Sequence, residues 1–159
     1  MVRQMFQHVG PPSPELVEAL KDSGARQHFE TGSVRDTSEG KGDFSLIPPY
    51  AEMAYACILQ DGAMKYAARN WEKGQPVSRY ITSARRHLAK YVAGLRDEPH
   101  LWQAFWNIGG AIFTTIMVHL GLLPSELYDM PNHTSADQPP ALGKYEIDRL
   151  NKFLGKETK

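Results

Sequence analysis

DEPHLWQAFWNIGGAIFTTIMVHL, residues 97–120, decides the fold. Leu101, Trp102, Phe105, Trp106, Ile108, Ile112, Phe113, Ile116 and Met117 recur at three- and four-residue spacing, the period at which side chains share a helix face. Asp97 or Glu98 can cap this helix, with Pro99 in its first turn, where the missing proline N–H is tolerated. The segment is apolar nearly all round, which predicts a central position or a subunit interface. Its most apolar run, 108–123, is interrupted by Thr114, Thr115 and His119. It is shorter than the roughly 18 residues that mark a membrane span, so a buried helix and no membrane association are expected. Gly109-Gly110-Ala111 permits close approach of another helix and suits a subunit contact. Against this apolar background His100, Gln103 and Asn107 make one polar stripe. An internally satisfied hydrogen-bond ladder and a ligand-facing row both fit it.

The segments before it read as two more long helices. Residues 78–95 place Ile81, Ala84, Leu88, Tyr91, Val92 and Leu95 on a buried stripe, with Gly94 fraying the end, and set Arg79, Ser83, Arg86 and Lys90 on an adjacent polar face. Residues 49–69 carry Ala51, Ala54, Tyr55, Ile58, Gly62 and Tyr66 on one face. A turn at 72–76 joins the two. Ser13-Pro14 and Gly24 bracket a short helix over 14–23. Residues 26–49 read as a long loop with brief extended pieces near 28–31 and 44–47. Pro124 ends the apolar segment, 132–140 has linker composition, and 144–154 reads as a last amphipathic helix. The expectation is an all-α bundle of three long helices with short flanking helices. Its domain spans 1–131, followed by a linker and short helix over 132–159.

At 159 residues the chain can bury a sizeable core. Eighteen basic side chains against eighteen acidic ones disfavour generic polyanion binding, so no nucleic-acid partner is expected. The single cysteine, Cys57, excludes an internal disulfide framework and a CxxC zinc site. It reads as a small buried residue of the first helix and not as a nucleophile. With no apolar stretch of signal-peptide type in MVRQMFQHVGPPSPE, a cytoplasmic location is expected.

If the second and third helices form a hairpin joined at 96–98, His87 comes within reach of Asp97, Glu98 and His100. Imidazole and carboxylate are ordinary ligands of divalent metals. Between residues 65 and 90 lie Lys65, Arg69, Lys73, Arg79, Arg85, Arg86 and Lys90 against one acid, Glu72. That concentration suits a phosphate-bearing ligand, although solvation of two helix faces would use the same residues. Tyr66, Trp71 and Tyr80 interleave with it and could stack on a base or fill the core. The glycines around Lys41 suit backbone approach to phosphate, but neither a GxxxxGK[ST] loop nor a GxGxxG turn is present.

Taken in order, RDTSEGKGDFSLIPP (35–49), DGAMKYAARNWEKG (61–74), SARRHLAKYVAG (83–94) and DEPHLWQAFWN (97–107) resemble a phage family of dATP/dGTP diphosphohydrolases. That family is grouped with the MazG-like all-α nucleoside triphosphate pyrophosphohydrolases. The resemblance covers about residues 35–120 and rests on Arg35, Asp36, Gly40, Lys41, Gly62, Ala63, Lys65, Tyr66, Asn70, Trp71, Arg86, His87, Asp97, His100 and Asn107. It implies metal-dependent cleavage of a purine deoxynucleoside triphosphate to the monophosphate and pyrophosphate, in phage nucleotide-pool control or supply of a modified-purine precursor. MazG-type enzymes carry ExxE on one helix and ExxD on the next. Here the corresponding helices show Arg86-His87 and His100…Asn107, so the metal shell cannot be copied from them.

The resulting expectation is a divalent ion, magnesium, manganese or cobalt, held by some of His87, Asp97, Glu98 and His100. Lys41, Lys65, Arg69 and Arg86 would neutralise the triphosphate. Arg35 is carried over as a substrate contact, Trp71 or Tyr66 would stack on the base with Asn70 nearby, and Asn107 and Gln103 would orient the shell or touch the nucleotide. A homo-oligomer is expected from the apolar third helix. An HD-type phosphohydrolase, whose His-Asp dipeptide is missing, and a non-catalytic nucleotide-binding module are the alternatives.

Overall fold

The computed structural model describes residues 25–39, 42–133 and 141–156. The helix expected over 14–23, the Gly40-Lys41 pair and most of the 132–140 linker lie outside the described residues. The chain divides into two compact units, Met1–Gly42 and Asp43–Lys159, each taken by itself below.

In the first unit, β1 (Arg26–His28) and β2 (Val34–Asp36) pair antiparallel, with Arg26 opposite Asp36 and His28 opposite Val34. Gly32, at φ +82°, lets the chain reverse between them. An Arg26–Asp36 ion pair of 2.8 Å ties the open end. The extended piece expected at 28–31 thus exists two residues earlier, and its partner strand came without a signal of its own.

The second unit holds four helices: α1 (Pro49–Lys65), α2 (Val77–Val92), α3 (His100–His119) and α4 (Lys144–Phe153). The all-α expectation holds. Phe44–Leu46 is one turn of 3-10 helix and not extended, because Asp43 accepts from both the amide and the hydroxyl of Ser45. The first long helix stops at Lys65, four residues early. Arg69 then adopts φ +60° and leads into a second 3-10 turn at Asn70–Lys73.

Helix α2 has no side-chain cap of its own. Asp129, fifty-one residues on, supplies one by accepting from the Ser78 amide at 2.8 Å and from the Ser78 hydroxyl. That satisfies one of the orphan donors of the first turn. At the other end Gly94, at φ +86°, places the Leu95 amide on the Lys90 carbonyl and its own amide on the Tyr91 carbonyl. This paired closure stops the helix sharply, where fraying was expected.

The main packing is α2 on α3, with α1 also in contact with α3. The glycine pair explains how closely the helices approach. A methyl group at Gly109 would collide with the Tyr55 hydroxyl of α1, and one at Gly110 would lie 2.5 Å from Tyr80 Cε1 of α2. The pair therefore serves close contacts within the chain. Val77, Tyr80 and Ala111 form the core, flanked by Ile81, Trp106, Tyr128 and Met130. An edge-on contact at Trp71–Phe113 and a tilted one at Tyr80–Trp106 extend it. Leu142, beyond the 131/132 division drawn from composition, is buried as well.

Two expectations about burial need correction. The buried row of α2 is Val77, Tyr80, Ala84 and His87, and it ends there because α3 begins at His100, opposite His87. Leu88, Tyr91, Val92 and Leu95 are exposed. Cys57 is exposed too, since the face of α1 turned to α3 is set by Ala54 and Ile58. Among the described residues helix α3 is covered on one side only: Leu101, Phe105, Ile108 and Ile112 form an open apolar stripe, each at least 40% exposed. Among the described residues it is the one helix long and apolar enough to cross a membrane. Its buried His100, Asn107 and Thr114 face neighbouring helices instead.

Candidate active site

Because Gly94 stops α2 and α3 opens at His100, a seven-residue connection folds the two helices back and brings His87 onto His100. Both imidazoles are buried, His100 at 1% exposure and His87 at 9%. Their Nδ1 atoms face each other at 3.2 Å. Glu98 Oε2 closes a triangle, 3.9 Å from His87 Nδ1 and 3.6 Å from His100 Nδ1. Three atoms so spaced lie on a circle of about 2.1 Å radius, which is the bonding distance of a first-row divalent cation to nitrogen and oxygen. The donors are also chemically apt, two imidazoles and one carboxylate. The residues therefore fit a divalent cation.

Asp97 has a different place from the one expected. Its Oδ1 lies 2.8 Å from Nε2 of His100, on the ring side away from the triangle. A carboxylate there accepts the Nε2 proton, which leaves the Nδ1 lone pair of His100 facing Glu98 and His87. Asp97 thus stands outside the triangle, against the far ring nitrogen of His100. The same hydrogen bond holds its carboxyl below the usual carboxylate range. Burial, followed by the nearby Arg86 guanidinium, pushes the His87 imidazole down despite the opposing charge of Glu98. Lys90 stands 3.9 Å from Asp97 on the outer side.

His87 also forms part of the wall of a cavity of about 440 Å³ between α1, the turn after it, α2 and α3. Lys65, Tyr66, Arg69, Asn70, Trp71 and Asn107, all expected to bind substrate, line this one space. Trp71 is held edge-on by Phe113, with ring centroids 4.8 Å apart. Tyr66 remains exposed with the Lys65 ammonium over its ring. Arg69 is not a free cation, because it pairs with Glu72, and that pairing raises its pKa.

Other expected residues fall elsewhere. Arg86 is exposed and does not line the cavity; it reaches back toward Ser83, which does. Arg35 lies on β2 in the first unit, and Lys41 lies outside the described residues. His100, Asp97 and Glu98 border a second, more open concavity of about 510 Å³ shared with Tyr91, Arg96 and Trp102. The histidine pair therefore stands between two hollows. Sequence reading did not single out Asp61, Gln75 or Trp106 as site residues, yet all three line the first cavity. The spacing of Asp61, one helical turn before Lys65, was the signal available for it.

A family model described as dATP/dGTP diphosphohydrolase, N-terminal, matches residues 31–118, more than half of the chain. The four-helix unit with little strand agrees with the MazG-like all-α class. No curated protein and no solved structure matches the chain.

Proposed function

The chain belongs to the dATP/dGTP diphosphohydrolase family, and on that premise we propose that it hydrolyses purine deoxynucleoside triphosphates to the monophosphate and pyrophosphate at the His87–Glu98–His100 triangle and the cavity beside it. The observation that carries this reading is the convergence of three metal-type donor atoms within 4.8 Å of one another, with one of the three residues lining the cavity that holds Lys65, Asn70 and Trp71.

A divalent cation bound there would supply positive charge to phosphate oxygens and a water of lowered pKa. The protein groups divide the remaining work. Asp97 fixes the tautomer of His100, and Glu98 and His87 complete the donor set. Lys65 offers a cation to the triphosphate as negative charge shifts toward the leaving pyrophosphate. The Trp71 face and the Asn70 amide receive the base, with Trp71 immobilised by Phe113. Attack of water on the α-phosphorus breaks its bond to the bridging oxygen, and both fragments leave as anions. The reading places the protein in the cytoplasm, in a phage-encoded role of nucleotide-pool control or modified-purine precursor supply. It also makes the protein an oligomer that covers the open stripe of α3.

The test incubates metal-stripped protein with each deoxynucleoside triphosphate and added magnesium, manganese or cobalt, and separates the products. Monophosphate and pyrophosphate from purine substrates, lost on chelation and in His87→Ala and His100→Ala, are expected. Release of triphosphate or free phosphate would move the chemistry to the HD type. Binding without turnover in any metal would leave a nucleotide-binding module.

A further inference from the structure

Asn107 is the most constrained polar group lining the cavity. It is 6% exposed and sits two turns beyond His100 on the same face of α3, about 10 Å along the axis at the helical rise of 1.5 Å per residue. Its Nδ2 donates a 2.7 Å hydrogen bond to the main-chain carbonyl of Gln103. A carbonyl oxygen only accepts, so the amide cannot be flipped: the nitrogen must face Gln103. That leaves Oδ1, an acceptor with no partner among the described residues, on a side chain that lines the cavity. The oxygen is not among the buried unpaired atoms, so it opens onto the cavity, where a ligand bearing a donor can take it up. The Gln103 side-chain amide lines the same cavity one turn nearer His100 and makes no hydrogen bond among the described residues. It is free to turn either end toward a ligand.

We propose that Asn107 determines base specificity: its Oδ1 accepts an N–H from the hydrogen-bonding edge of the purine. This rests on the pyrophosphohydrolase reading above, which puts the phosphates at the histidine pair. About 10 Å from there, along α3, is where the edge of the base of an extended nucleotide falls. Adenine meets the acceptor with its exocyclic amine, and guanine with its ring N1–H or its exocyclic amine. The adjustable Gln103 amide then satisfies the neighbouring base atom, donor or acceptor, so that one fixed and one turning amide admit both purines.

The experiment measures binding by calorimetry in magnesium. The ligands are dATP, dGTP and the triphosphate of unsubstituted purine 2′-deoxyriboside, which has no N–H on that edge, each carrying an α,β-methylene bridge that resists cleavage. The wild-type protein is expected to bind the unsubstituted purine about 10- to 100-fold more weakly than dATP, the range for leaving a buried polar group unmatched. In Asn107→Leu the two ligands should bind within about threefold of each other, with thermal melting used to check that the variant folds. Equal binding of the two ligands by wild-type protein would overturn the proposal without any variant, and so would a gap that persists in folded Asn107→Leu. Absence of binding by any purine nucleotide would instead strike the pyrophosphohydrolase reading, and this inference with it.

Discussion

Adding one methyl group at two helical glycines should have opposite effects on stability. Gly62 in α1 has nothing within 4 Å of the position a Cβ would take. Gly62→Ala therefore only restricts the unfolded chain and improves helix propensity, a gain of about 0.5–1 kcal/mol. Gly110 in α3 carries the same propensity gain, but its Cβ would stand 2.5 Å from Tyr80 Cε1 and 2.9 Å from both Cδ1 and Cζ. Three ring atoms are thus about 1 Å inside ordinary contact. The ring cannot swing away, being 1% exposed and packed against Trp106 at 5.7 Å between centroids. Overpacking of this kind costs about 1–3 kcal/mol. Taking the upper end for three clashing atoms and offsetting it by the propensity gain leaves a net loss of about 2 kcal/mol. For a chain of this length that is a fall of roughly 4–8 °C in Tm, against a rise of roughly 1–4 °C for Gly62→Ala. Thermal unfolding followed by circular dichroism reads both. Shortening the ring in Tyr80→Leu should restore most of the loss in the Gly110→Ala background, a coupling that a double-mutant cycle isolates. If Gly110→Ala melts at or above wild type, the close approach of α2 and α3 is not as described.

The remaining predictions concern the site, the cap and the open face. Asp97→Ala should weaken manganese or cobalt binding about 10- to 100-fold, the usual effect of losing the partner of a ligating histidine. Nitrogen NMR of the histidines should show His100 losing its single tautomer, and unchanged affinity and tautomer would return Asp97 to the solvent. Asp129→Ala should cost about 1 kcal/mol as a lost helix cap, measured by urea titration at neutral pH. Burial works against the Asp129 charge, but the Ser78 hydroxyl and amide outweigh it and hold the carboxyl below its ordinary value. A lowered folded pKa stabilises above the unfolded value and loses that effect as pH falls through the folded one. The difference between wild type and Asp129→Ala should accordingly shrink below about pH 4, and a difference that grows there would contradict the assignment. Light scattering after size exclusion should report an oligomer that Ile108→Glu with Ile112→Glu dissociates; a wild-type monomer would leave the α3 stripe without that role.

The sequence made some of this legible because the signals were local. Period and apolarity located α3, and a short hairpin turn was enough to bring His87 near His100. The cluster from Lys65 to Trp71 was legible as one site because it is nearly continuous in sequence. What could not be read depended on which neighbour covers which face. Leu88, Tyr91, Val92 and Leu95 repeat as regularly as a core row, yet among the described residues no helix lies over them. The division of labour between Asp97 and Glu98 turns on which ring nitrogen each adjacent carboxylate meets, and spacing carries no such information. Asp129 as the cap of α2 is a contact across fifty-one residues, for which no local pattern exists.

The Gly94 stop has a further consequence, for the order in which the molecule acquires its parts. His87 and His100 are thirteen residues apart, so closing the loop between them costs little chain entropy compared with joining α2 to Asp129. Contacts at such short separation form on the fast side of folding. The metal-type donor set is therefore part of a hairpin of short sequence separation, whereas the wall supplied by α1 depends on longer-range contacts. A cation held by that donor set would accordingly stabilise the hairpin without requiring the α1 wall.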